Sequence, residues 1–338
     1  MIARTITAAA LALLPLAVQA QTAALPTDPA ADWSVATSEH RIAVEGGKVW
    51  VRVNGKIGEG AAPVIIIHGG PGGTHVNFGG LLSLADQRPV ILYDQLDSGM
   101  SDHSENPANW RPERFVAELE AIRRELGVDR WHVIGHSWGS ALALEYAAAY
   151  PQHTASAVLS GTFLSTSHWI TGTNLLIRDL PDDVAAAIRA CEGPNPPAAD
   201  VCEPATAAFY KAYNGRADRP APSPEAIAYR ARYGGKGFNA TVYNAMWGPT
   251  EFRASGSLAS YDASGLLSRV DGSRIMFVVG QYDEARIDTV QDFLALTPGA
   301  ELAVVPGGSH AFISERPEVS EAIYRDWMAR IDAREGVE

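Results

Sequence analysis

The chain has 338 residues, 46% hydrophobic and 20% charged, with 31 glycines and 21 prolines, the profile of a globular, loop-rich protein and not of a disordered one. With 39 acidic and 27 basic residues its formal charge is −12, and no basic cluster is present, so a nucleic-acid partner is not expected. No like-charge run, low-complexity tract or internal repeat points to a solenoid or an interaction tail.

The chain opens MIARTITAAALALLPLAVQA, with Arg4 ahead of an Ala/Leu-rich stretch and a small-x-small ending at Val18-Gln19-Ala20. Residues 1–20 are therefore expected to be a cleaved secretory signal, and the mature chain to be secreted or periplasmic. The apolar part is too short for a comfortable membrane span, so no membrane association is expected after cleavage. A Pro/Ala-rich leader runs to about Trp33. Residues 41–54 (RIAVEGGKVWVRVN) alternate apolar and polar around Gly46-Gly47, which predicts an antiparallel hairpin with one solvated face.

Six short apolar runs follow, at 63–69, 89–94, 130–136, 155–161, 274–280 and 300–307, the pattern of strands buried on both faces of a parallel sheet. Helical segments are predicted at 112–126, 138–150, 286–295 and 317–331, each closed by Gly, Pro or a loop. Strand and helix alternate, so the expected class is α/β: a mostly parallel eight-stranded sheet with helices on both faces. Residues 162–256 offer helical patches and no strand, and are expected to be a helical cap. The cap would divide the core into a first part, 21–161, and a second, 257–338.

Within the cap, Cys191 and Cys202 flank CEGPNPPAADVC. In an oxidising compartment these two thiols are expected to pair, removing about 3 kcal/mol of unfolded-chain entropy. Zinc binding is the weaker alternative, since neither has a His or second Cys at ligand spacing.

The chemistry centres on Gly135-His136-Ser137-Trp138-Gly139, a G-x-S-x-G lying directly after a strand and before an Ala-rich helix. Such a turn needs small flanking residues and pushes the serine hydroxyl out over the end of the sheet. A serine hydroxyl needs a base to take its proton and an acid to orient that base. Asp283 follows the strand at 274–280 and His310 follows the one at 300–307, giving the order Ser, Asp, His that this α/β-hydrolase arrangement requires. His68-Gly69-Gly70-Pro71-Gly72-Gly73 follows another strand; Gly69 or Gly70 would give one N–H to a developing oxyanion, and Trp138 the other. No metal or organic cofactor is called for.

In these residues the chain resembles the prolyl aminopeptidases (proline iminopeptidases), in particular the tricorn-interacting aminopeptidase branch. HGGPGG (68–73), DQLDSGMSD (94–102), GHSWGS (135–140), WGPTEF (247–252) and VGQYDEA (279–285) occur in that family's order, and the resemblance covers about Arg41 to Trp327. It implies a serine exopeptidase acting on an unblocked N-terminal residue, proline or another small or hydrophobic one, of a short peptide or aminoacyl amide. It also implies that Glu251 and Glu284 capture the substrate's α-ammonium, and an ammonium entering a desolvated pocket does need carboxylates beside it. Leu96 and Met100 stand where the family usually has arginines. Phe163, Trp169, Tyr210, Tyr243 and Trp247 are candidates to line the first-residue pocket, or else ordinary cap core. Two other readings use the same residues: an amino-acid amidase or ester hydrolase, and a non-catalytic binding protein on a hydrolase scaffold.

Overall fold

The computed structural model describes Trp33 and residues 36–216, 218–232 and 237–336; the expected signal segment lies outside them. Eight strands form one sheet: β1 (Ser38–Val44), β2 (Gly47–Asn54), β3 (Val64–Ile67), β4 (Val90–Asp94), β5 (Trp131–His136), β6 (Thr154–Ser160), β7 (Ile275–Gly280) and β8 (Glu301–Val305). Their spatial order is β1-β2-β4-β3-β5-β6-β7-β8. β1 pairs antiparallel with β2 and β2 antiparallel with β4, and every later pairing is parallel.

Alternate side chains of the central strands enter two different cores. Ile65, Ile67 and Val133 join α1 (Pro112–Glu125), α2 (Trp138–Ala149) and α8 (Ile287–Ala295) on one face. Val64, Ile66 and Ile134 join the segment His75–Asp86, α9 (Phe312–Glu315) and α10 (Pro317–Glu335) on the other. Full burial of each such side chain contributes roughly 1.5–3 kcal/mol. That anchors the strand ends from which the site loops spring.

Two strands depart from expectation. β2 has no solvated face beyond its first two residues. It lies between β1 and β4, and its Arg52 is covered by the rings of Trp33 and Tyr229. β8, expected to be buried on both faces, closes the sheet edge and is fully buried only at Val305.

Between β6 and β7 the described residues form five α-helices: α3 (Thr166–Arg178), α4 (Asp182–Cys191), α5 (Ala199–Tyr213), α6 (Pro224–Ala231) and α7 (Ala240–Met246). Leu176, Ile177, Ile188, Phe209 and Phe252 give them a small core of their own. Cys191, the last residue of α4, is disulfide-bonded to Cys202 in α5. Among the described residues no helix is long and apolar enough to cross a membrane.

Candidate active site

The turn from β5 into α2 places Ser137 at φ 55° and ψ −125°, outside the regions an L-residue ordinarily adopts. Its N–H donates to the Ser160 carbonyl at 2.8 Å, which ties the turn to the neighbouring strand. The flanking glycines are sterically required: a Cβ on Gly135 would lie 2.0 Å from the Gly139 carbonyl oxygen, and one on Gly139 would lie 2.2 Å from that of Ile67. Ser137 faces a cavity of about 590 Å³ whose wall it shares with His310, Glu251 and Glu284. Among the described residues its hydroxyl holds no hydrogen bond.

His310 arrives from the loop after β8 and Asp283 from the loop after β7. Nδ1 of His310 lies 2.7 Å from Oδ1 of Asp283. The carboxylate also accepts the N–H groups of Ala285 at 2.9 Å and Gly280 at 3.1 Å, which fix its plane. Burial disfavours a charged imidazole, but Asp283 and Glu284 outweigh it and push the His310 pKa up to about 9. The ring packs against that of His136, 4.7 Å between centroids. Burial and the neighbouring His310 hold His136 well below the usual histidine range.

Trp138 opens α2, so its N–H is among the donors a helix start leaves without an internal partner. Gly69 presses on the nucleophile: a Cβ there would sit 2.6 Å from the Ser137 Cβ. Gly70, at φ 41°, lines the same cavity. Both glycines and Trp138 thus gather around Ser137.

Glu251 and Glu284 reach the cavity from segments 33 positions apart in the chain. Glu251 accepts hydrogen bonds from the Tyr243 hydroxyl and, at 3.2 Å, the Trp169 indole. Oε1 of Glu284 accepts from Asn214 Nδ2 at 2.7 Å and lies 3.7 Å from His310 Nε2. Its Oε2 is buried with no hydrogen-bond partner. Burial and the nearby Glu251 push the Glu284 pKa up to about 8, and burial raises Glu251 as well. Beside Ser137 a narrow pocket of about 20 Å³ is walled by Phe163, Trp169, Tyr243, Trp247, Trp138 and Glu251, while Tyr210 lines the larger cavity.

Asn214 was not legible in the sequence, because it meets Glu284 only through tertiary structure, 70 positions away. Around Leu96 and Met100 the buried acid is satisfied without an arginine. Asp94, fully buried, accepts the N–H of His75 at 2.9 Å and that of Met100 at 2.8 Å, and its Oδ1 lies 2.8 Å from His75 Nδ1. Leu96 is buried in the core on the α1 and α2 face.

A serine at a strained strand-to-helix turn, with an Asp–His pair on the following strand ends of such a sheet, defines a serine hydrolase of the α/β-hydrolase class. Residues 62–317 match the family model for the alpha/beta hydrolase fold. A proline iminopeptidase of Heyndrickxia coagulans is 35% identical over 295 residues, covering 87% of this chain and 99% of that protein. One from Lactiplantibacillus plantarum is 30% identical, covering 85% and 99%. The crystal structure of the proline iminopeptidase of Mycobacterium smegmatis superposes with a TM-score of 0.77 at 30% identity, covering 88% of this chain and 99% of that one. The chain belongs to the proline iminopeptidase family.

Proposed function

We propose that the enzyme releases the N-terminal residue, proline or another small or hydrophobic one, from short peptides through an acyl-enzyme on Ser137. The observation that carries this reading is the unpartnered Oε2 of Glu284, buried in the cavity that Glu251 and Ser137 share. A buried carboxylate oxygen without a donor is costly, and a substrate ammonium supplies the missing donors and neutralises the pair. The aromatic walls of the narrow pocket beside Ser137 give an apolar first residue a surface to pack on.

With the ammonium held, His310 takes the Ser137 proton as the serine oxygen attacks the carbonyl of the first residue. Gly69 or Gly70 and Trp138 donate N–H groups to the oxyanion. The tetrahedral intermediate collapses, the C–N bond breaks, and His310 returns the proton to the leaving amine. Water, deprotonated by His310, then hydrolyses the ester and frees the amino acid. Asp283 holds the ring in orientation throughout.

The signal-like N-terminus and the Cys191–Cys202 disulfide support export to the periplasm or beyond. Prolyl, alanyl and leucyl arylamides, amides and methyl esters, each with and without N-acetylation, test the substrate class together with short peptides. Free-amine arylamides and peptides should be cleaved and N-acetylated ones spared. Equal turnover of N-acetylated esters would remove the ammonium site from the reading. Turnover of amides and esters without peptides would make the enzyme an amidase or esterase.

A further inference from the structure

The catalytic cavity does not end at its own wall. A second groove of about 150 Å³ shares Asn77, Arg219, Ile313 and Ser314 with it and continues past Arg230. Charge is distributed unevenly along this combined space. Glu251 and Glu284 line the catalytic cavity with Ser137, whereas Arg219 stands where the cavity meets the groove. Among the described residues it is the only arginine or lysine lining the catalytic cavity, and it holds no ion pair among them. In a chain with a formal charge of −12, a guanidinium without an ion pair at this junction is available to an anionic group entering the cavity.

From this polarity we infer that Arg219 receives the C-terminal carboxylate of short peptides, so the site reads both charged ends of its substrate. The inference rests on the aminopeptidase reading, which supplies the ammonium end. Guanidinium matches carboxylate as a planar fork with two parallel N–H donors. The size agrees: an extended chain advances about 3.5 Å per residue, and a compact cavity of about 590 Å³ is on the order of 8 Å across. A chain of two or three extended residues therefore fits within a cavity of that size. Arg219 is exposed, so its attraction is partly screened and acts on selectivity among peptides while leaving the acyl-transfer chemistry to the residues around Ser137.

The test uses one prolyl tripeptide as free acid and as C-terminal amide, with a prolyl arylamide as reference. The comparison is made on the wild type, Arg219→Gln and Arg219→Glu at low and high salt. Wild type should favour the free acid in kcat/KM by about two- to five-fold at low salt, mostly through KM, and lose that preference at high salt. Arg219→Gln should bring the ratio to about one, and Arg219→Glu should invert it. A wild-type ratio of one, or a ratio kept in Arg219→Gln, overturns the inference, as does arylamide cleavage with no cleavage of either peptide. Failure of the wild type on arylamide and peptides alike overturns the aminopeptidase reading instead.

Discussion

Glu284 sits among groups that bear on His310, the proposed base. Its Oε1 is 3.7 Å from His310 Nε2, while Asp283 grips the other ring nitrogen and Glu251 lines the same cavity. His136 packs on the same ring and is held neutral by burial and by His310. The carboxylates raise the His310 pKa to about 9, and Glu284 itself is raised to about 8, so the groups titrate as one system. The base must be neutral to act, so activity in the free enzyme rises with pH as His310 loses its proton. Glu284→Gln removes a negative charge beside the imidazolium, which lowers the His310 pKa and moves the ascending limb of the kcat/KM profile to lower pH. The same substitution should cost about 10- to 100-fold in kcat/KM on free-amine substrates, through the lost charge-assisted contact. Simple acyl esters should lose far less. An unshifted limb in a pH series on such an ester would show that Glu284 does not act on His310. Ser137, Asp283 and His310 were legible because each stands next to a strand run that can be recognised locally. The orphaned oxygen of Glu284 was not, since burial of one oxygen and engagement of the other depend on Asn214 from a different element.

At the scale of elements, α5 links the cap to the chemistry. The Tyr213 carbonyl at its end accepts the N–H of His310 at 2.8 Å, and the next carbonyl, of Asn214, accepts that of Ala311 at 3.1 Å. Near its start, Cys202 is bonded to α4 across a sequence separation of 11. Closing a loop of that length stabilises by about 3 kcal/mol in the chain-entropy account. Replacing both cysteines by serine should lower unfolding free energy by about that amount in a urea titration. An unchanged midpoint would mean the cap unfolds apart from the transition being followed. The strands were legible because each short apolar run declares itself. Their burial was misread at β2 and β8, because which strand is covered and which forms an edge depends on spatial order, and sequence order runs differently at β3 and β4. Some of the cap's contacts were illegible for a related reason: a pair such as Phe209 on Phe252 joins positions far apart in sequence.

For the molecule as a whole, the cavity is bounded by cap and core together, with Tyr210, Asn214 and Tyr243 from the cap facing His68, Gly69 and Ser137 from the core. A series of prolyl peptides of increasing length should therefore show kcat/KM falling once the chain outgrows the cavity and its adjoining groove. Folded proteins with an N-terminal proline should be spared, as mass spectrometry of the released amino acid would register. Length-independent turnover would mean that the cap swings clear during each cycle.

The cap is fastened to both sides of the nucleophile. α5 holds the His310 loop through the Tyr213 carbonyl, and Asn239 at the start of α7 donates its N–H to the Gly72 carbonyl at 2.8 Å, gripping the glycine loop that carries Gly69 and Gly70. A cap that lifted would draw His310, the proposed base, and the loop of Gly69 and Gly70, the proposed first oxyanion donor, away from Ser137 together. Opening and hydrolysis would thereby be interlocked, a wider entrance leaving a less competent serine. A substrate able to enter only by lifting the cap would then meet a serine parted from its proposed base.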